Sequence, residues 1–426
     1  MRKFLFCFLS LNIFLITDSL AQISTEHTII HINNDICKYY KKPYFQTTKV
    51  QRHYNNSSKK NLNNPCSSFI VTYNGFTPEA QTAFEFAVNI WMNSLNSNVP
   101  IRVEANFGTM QDGQIGMATP SGYTALSGTN IPPNTIFPLA LAEQILGYEI
   151  MQQGQPTTDI NANFNNNINF YYGTDGNPGI NQIDFVSVVL HELAHGLGFA
   201  GLATTTNNET QGAIRYGALY YTMYDYFIEN GSNTSILSFA DPSDALLSEL
   251  TSNNLYCNGT ETIEQNNFIT PKIHAPTNFL TASSYNHWDE ETFAPGDSNS
   301  LMTPGISPGE SIHNPGLITL GLMQDMGWNI CGSLLNVDNS HLEEFSISPN
   351  PFNSKIKIKI PSQFNGANYD ISLFDINGRL LLNKKRKVVN QVIQLSELHN
   401  LENAIYFITL KNENTNSIFT KQIIKK

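Results

Sequence analysis

Basic residues are nearly missing from the middle of this sequence. Between residues 67 and 331 there are 24 Asp and Glu, but only Arg102, Arg215 and Lys272 carry positive charge. Across the chain 14% of residues are charged and the net charge is -11. That balance argues against nucleic acid as a partner, which needs a basic face. Long apolar runs are missing as well. Phe4–Ile16 is shorter than the roughly 20 residues a membrane-spanning helix needs. It follows Arg2-Lys3 and precedes Ser19-Leu20-Ala21, so residues 1–21 read as a secretory signal peptide. No transmembrane segment is expected beyond it.

Cysteine is scarce, with five in 426 residues. Cys7 leaves with the signal. Cys37, Cys66, Cys257 and Cys331 remain, and an even number in an exported chain favours two disulfides, with three possible connectivities. The alternative is that Cys37 caps a metal as a thiolate in a latent form.

What is present divides the chain into zones. With 41% hydrophobic and 11% aromatic residues it can bury a core. Residues 22–66 hold seven basic against two acidic residues, and residues 345–426 hold 12 against five. The spacing predicts a basic lead-in or short pro-segment over 22–66, a main domain over 67–331, a linker over 332–344 and a small β-sandwich over 345–426. A basic lead-in beside an acidic domain is expected to lie across it and slow access to it.

Within the main domain Phe69–Tyr73 reads as a strand. Thr77-Pro78 marks a helix start, followed by Phe84, Val88, Trp91 and Leu95 at helical spacing. Pro100–Ala105 and Asp159–Phe164 read as strands, Pro138–Met151 as a helix and Ile183–Phe199 as a central buried helix. Helical hints fall near 216–229 and 243–250, and Asn314-Pro315 opens a last helix through Met326. In the C-terminal segment Ile356, Ile358 and Ile360 alternate with lysines, and Asn377-Gly378 is a hairpin turn signal.

The chemistry lies at His191-Glu192-Leu193-Ala194-His195. Residues i and i+4 share one helix face, so both imidazoles can bind one ion. Glu192 then sits where it can take a proton from a water the metal activates. Gly198 follows at the spacing where the chain turns back toward the metal. Three residues further on, where an extended form of the motif has a third histidine, this chain has Gly201. Either the third ligand comes from elsewhere or the site is dead. His287-Trp288 supplies a candidate, and Leu301-Met302-Thr303-Pro304-Gly305 comes after it.

This order resembles leishmanolysin-like metzincins, over roughly residues 67–330. The resemblance implies an α+β metzincin-like zinc protease domain with a central HExxH helix. It implies His191, His195 and His287 as ligands of one catalytic Zn2+, Glu192 as general base and Met302 as the Met-turn residue beneath the metal. The expected function is a secreted zinc endopeptidase acting on protein or peptide substrates, bound extended along an edge strand near 159–164. The alternatives are a non-catalytic surface adhesin that keeps the zinc fold and a metallohydrolase of non-protein substrates. Structural Ca2+ is a lesser expectation, at Asp175, Asp289, Glu290 and Asp297, against a plain solvated acidic surface.

The C-terminal segment carries Ser348-Pro349-Asn350-Pro351-Phe352, Asp375-Ile376-Asn377-Gly378-Arg379 and Ala404-Ile405-Tyr406-Phe407 in order. It resembles the sorting domain of the type IX secretion system of Bacteroidetes. That implies contact with secretion machinery and a protein that is secreted or held at the outer cell surface.

Overall fold

The computed structural model describes residues 27–32, 37, 39–51, 65–111, 113–128, 131–217, 219–331, 346–360, 366–375, 379–396, 398–412 and 418–426. The expected signal peptide and linker, the Asn377-Gly378 turn, His53 and His341 lie outside the described residues.

The elements that position the site are, in chain order, β1 (Tyr39–Lys41), β2 (Lys49–Gln51), β3 (Phe69–Asn74), α1 (Pro78–Met92), β4 (Ile101–Gly108), β5 (Gln114–Pro120), α2 (Leu139–Leu146), β6 (Ile160–Asn165), α3 (Phe185–Gly196), α4 (Met223–Tyr226), α5 (Asp244–Leu250), α6 (Thr260–Gln265), β7 (Gly305–Ile306), β8 (Ser311–His313) and α7 (Leu317–Met326). Thr77 caps α1 through Ala80 N–H at 3.3 Å, and Pro78 takes the first turn where its missing N–H costs nothing. β3 and β4 pair in parallel, which requires a crossover, and α1 supplies it. Ile101, Val103, Ala105 and Phe107 turn the buried face of β4 inward.

The sheet order is β7-β1-β5-β6-β4-β3. β6 lies inside it, parallel to β4 and antiparallel to β5. The expected edge strand at 159–164 is therefore an interior strand, because its backbone is paired on both sides. α3 packs under this sheet with every residue buried, and Asp184 caps it by accepting from Ser187 N–H at 2.8 Å. An aromatic cluster, Phe76, Phe84, Phe107, Phe164 and Phe185, joins helices to sheet with mostly edge-to-face contacts.

Strand outweighs helix among the described residues, 35% to 20%, and is spread over many small sheets. This corrects the expected α+β metzincin-like class built round the HExxH helix: the chain is mostly β, and α3 is one helix of 12 residues. The physical reason lies in short two- and three-residue ladders, such as Thr204–Thr206 with Gln211–Ala213. Such ladders are too brief to show a period. α2 is also shorter than expected. It stops at Leu146 because Gly147 takes the left-handed conformation, φ 77°, and Met151 falls in a strand.

One disulfide joins Cys66 to Cys331, with Cα atoms 5.7 Å apart. Cys37 and Cys257 are free and buried, so the expectation of two disulfides is corrected to one.

The C-terminal region has β9 (Ser346–Ser348), β10 (Ile356–Lys359), β11 (Asn368–Asp375), β12 (Leu380–Lys387), β13 (Val392–Leu395), β14 (Ile405–Asn412) and β15 (Ile418–Ile424). They form a three-stranded sheet, β9-β10-β13, and a four-stranded sheet, β12-β11-β14-β15. Ile356, Ile358, Ile371, Leu373, Ile408 and Leu410 fill their own core. Lysines 357 and 359 hold the exposed side of β10.

Candidate metal centre

α3 places His191 and His195 on one face, and the loop before the Ser300–Met302 turn brings His287 to them. The Nε2 of His195 is 3.0 Å from that of His191, and the Nε2 of His287 is 3.3 Å from it. Each ring is turned by a backbone carbonyl. His191 Nδ1 donates to Leu301 O, His195 Nδ1 to Phe199 O and His287 Nδ1 to Ser283 O, each at 2.7 Å. Burial holds all three imidazoles below their ordinary range, His195 at about 4. They are therefore neutral with the proton on Nδ1, and three bare Nε2 lone pairs face one another.

Cys37 completes the group. Its Sγ lies 3.6 Å from the Nε2 atoms of both His191 and His287, and the four ligand atoms all lie within 4.8 Å of one another. A tetrahedral ion with bonds of ~2.0–2.1 Å to nitrogen and ~2.3 Å to sulfur would set N···N near ~3.3 Å and N···S near ~3.6 Å. The cluster matches that spacing, and its soft thiolate and imidazole donors suit zinc rather than calcium or magnesium. Burial, with Glu192 nearby, pushes the Cys37 thiol well above its usual range. A bound cation reverses that, since a coordinating thiol is deprotonated.

Glu192 stands beside the cluster. Ala118 N–H of β5 donates to its Oε2 at 2.8 Å, and its Oε1 is 3.9 Å from Cys37 Sγ. Burial raises its carboxyl to about 8. Gly116 makes the approach possible: a Cβ there would lie 3.1 Å from Glu192 Oε1 and from Val188 on α3. Met302 is fully buried, and its carbonyl accepts Trp288 N–H at 2.9 Å, which anchors the residue after His287.

Gly201 has no space for a side chain. A Cβ there would overlap Asp225 Oδ1 and the Tyr285 ring. Its N–H instead donates to Asn286 Oδ1 at 2.9 Å. The post-helix turn is thus bonded to the residue that precedes His287.

A stretch of the lead-in lies beside the cluster. β1 pairs antiparallel with β5, Tyr39 opposite Gly116, and parallel with β7, Tyr40 opposite Gly305. Lys42 N–H donates to Ile306 O at 2.9 Å and Gln46 N–H to Pro308 O at 3.0 Å. β2 pairs with β8. Lys42 forms an ion pair with Glu290, and Lys49 bonds to Asp175 O and Asn177 Oδ1. Tyr39 stacks on His191 with centroids 3.8 Å apart and planes 6° apart. The basic lead-in is therefore partly a paired strap. Tyr39, Ala118 and Asn286 were not legible as site residues, since none belongs to a spaced motif.

The other histidines stay outside. His313 bonds to Asp184 at 2.8 Å, His27 to Tyr148 and His31 to Ser121 O. His274 contributes its backbone N–H to His287 O, and His399 is exposed. Among the described residues the acids expected for calcium do not converge. Asp175 accepts from Tyr171 and Asn177, Asp289 from Thr292 and Asp297 from Asn299.

Residues 24–258 match the family described as SPBPB7E8-like. The chain belongs to that family. The match spans Cys37, His191, Glu192 and His195 and ends before His287. A Schizosaccharomyces pombe protein of that family name, uncharacterized protein PB7E8.01, is 27% identical over 178 residues, 36% of this chain and 31% of the yeast protein. The chain thus spans about a third of the length of that curated relative. Residues 346–426 match the secretion system C-terminal sorting domain, so the chain is exported to the cell surface or secreted by the type IX route, and the match implies interaction with the secretion machinery. Among the described residues no helix is long and apolar enough to cross a membrane. Among solved structures, PorZ of Porphyromonas gingivalis, a surface component of the type IX secretion system, aligns at TM-score 0.17 with 14% identity, covering 21% of this chain and 12% of that one. A DUF3244 family protein of Bacteroides vulgatus with an immunoglobulin-like β-sandwich aligns at 0.16 with 13% identity, covering 20% and 84%.

Proposed function

We propose that the chain is an exported zinc-dependent peptidase whose active site is closed by its own Cys37 and residues 39–51. The observation that carries this reading is the convergence of Cys37, His191, His195 and His287 within 4.8 Å with Glu192 beside them. The motif order, with the histidine pair, then His287-Trp288, then Met302, supports it as a likeness to leishmanolysin-like metzincins in sequence motifs alone. Bound zinc would supply a Lewis acid that acidifies water and polarises a carbonyl. His191, His195 and His287 would hold it, their rings fixed by Leu301, Phe199 and Ser283 carbonyls. Glu192, steadied by Ala118 N–H, takes the proton from the attacking water and gives it to the leaving amine. The pairing edges of β5 and β7 hold a peptide extended across the site. That a peptide segment fits there favours peptide over non-protein substrates.

A second reading is a non-catalytic surface protein with a structural metal, and the fourth ligand favours it, because structural zinc sites are closed by four protein groups. The full chain, its Cys37→Ala variant and its Glu192→Gln variant separate the two. Zinc content is measured by mass spectrometry and hydrolysis on casein. The peptidase reading expects Cys37→Ala to keep its zinc on three histidines and gain about 10-fold or more in hydrolysis. Zinc lost with no gain in hydrolysis supports the structural metal instead.

A further inference from the structure

Tyr285 adopts a backbone conformation that favours glycine. Its φ is 77°, and a bulky residue stays in that left-handed region only where its surroundings hold it there. It stands two residues before His287, and its side chain is fully buried. Three contacts hold it. Its N–H donates to His274 O at 2.7 Å. Its ring lies edge-on to that of Tyr224, with centroids 5.6 Å apart. Its carbonyl accepts the Tyr224 hydroxyl at 2.6 Å.

Tyr224 lies on α4, which is four residues long and too short to stand without anchors. Thr222 N–H donates to Asp225 Oδ2 at 2.8 Å and Asp225 N–H to Thr222 Oγ1 at 3.3 Å, a capping box. Asp225 Oδ1 accepts Leu202 N–H at 3.3 Å, which ties α4 to the turn after α3. The Tyr224 ring also meets Phe199, with centroids 5.5 Å apart, and the Phe199 carbonyl is the one that orients His195. A phenylalanine in place of Tyr224 keeps both ring contacts. The hydroxyl adds the bond to Tyr285 O.

We infer that Tyr224 is a positioning residue for the third ligand: its hydroxyl fixes Tyr285 in the left-handed turn that directs His287 to His191 and His195. The inference rests on the metal reading of the cluster and not on hydrolysis. The carbonyl of Ser283 sets the tilt of the His287 ring. Ser283 and His287 lie on either side of Tyr285, so a rotation at Tyr285 moves the ring against its own acceptor.

The test compares the full chain with its Tyr224→Phe variant, both stripped of metal and reloaded with Co2+, whose visible absorption reports its coordination geometry. Affinity is measured by competition with a chelator. It should fall by about 10-fold in Tyr224→Phe, and the cobalt spectrum should change. The same substitution made in a His287→Ala chain should alter neither, because the ligand through which Tyr224 acts is gone. Equal affinity with an unchanged spectrum in Tyr224→Phe overturns the inference. A loss as large without His287 as with it also overturns it, since the hydroxyl then serves the fold at large. A Tyr224→Phe chain whose circular dichroism shows it unfolded before metal is added overturns it for the same reason. Those three outcomes leave the metal reading intact. A wild-type chain that takes up no Co2+ sinks that reading and the inference together.

Discussion

One absent side chain leaves the candidate third ligand, His287, 86 positions further along the sequence than Gly201. At Gly201 the chain is pressed against Asp225 and Tyr285, so no imidazole fits, and Asn286 uses the free N–H to dock the loop that brings His287 instead. Gly201→Ala should therefore destabilise the domain by about 1–3 kcal/mol through overpacking, read as a lower melting temperature. An unchanged melting temperature would mean the turn can yield. His287→Ala leaves two imidazoles and Cys37. Zinc affinity should fall by about 10–100-fold or more, measured by competition with a chelator, and full retention would place the third nitrogen elsewhere. Glu192→Gln keeps shape and hydrogen bonding while removing the proton acceptor. It should keep zinc and, in the Cys37→Ala background, lose turnover by about 100-fold or more. Undiminished hydrolysis would refute the role given to this carboxylate.

At the scale of elements, what holds a segment decides how it responds to solution conditions. The strap over residues 37–51 is held partly by charge, Lys42 on Glu290 and Lys49 on the 175–177 loop. Salt should loosen it only modestly, raising hydrolysis by the full chain about 2-fold, since the Lys42–Glu290 pair is part-buried and is screened less than an exposed one. Activity flat in salt would leave the main-chain pairing of β1 as the sole closure. A different pair joins α2 to the residue before β6. The carboxyls of Glu143 and Asp159 act directly on each other, while Glu143 Oε1 accepts Ile150 N–H and Asp159 Oδ2 accepts Arg102 N–H, each at 2.7 Å. Burial first, then the neighbouring Asp159 charge, holds the Glu143 carboxyl above the usual range, and burial does the same for Asp159. The folded chain keeps protons that the unfolded chain releases near pH ~4, so stability falls as pH rises from about 5 toward 8. Glu143→Gln should flatten that slope in the melting temperature. A variant as steep as the wild type would acquit the pair. α1 is legible in the sequence because its apolar spacing spans several turns and Thr77 marks its start, and α3 because a long stretch from Ile183 is apolar nearly all round; the cap at Asp184 is known only from the structure. β1 is not, because three residues paired on both sides carry no period, and Cys37 reads as a disulfide partner until its neighbours in space are known.

For the whole molecule, the residues from Ile347 to Ile423 hold an apolar core of their own, and residues 346–426 match the sorting domain. The balance of strand and helix was not legible, because strands of the 200–285 region such as Gln211–Ala213, Tyr221–Thr222 and Leu255–Cys257 are only two or three residues long and carry no period. The disulfide should matter most at this scale. Replacing Cys66 and Cys331 together by Ser should cost about 2–5 kcal/mol, and a reductant titration of the melting temperature should show the same loss. Unaltered stability would mean the chain ends are held by packing alone.

The same bond also sets a boundary. Cys66 and Cys331 are 265 residues apart in sequence, so the bond welds everything between them into a covalent ring. The three clustered histidines and Glu192 are inside the ring. Cys37 with its strap, and the sorting domain from residue 346, are pendants outside it. A protease could trim either pendant without opening the ring, and three of the four residues of the candidate metal cluster would stay fastened together after both had gone.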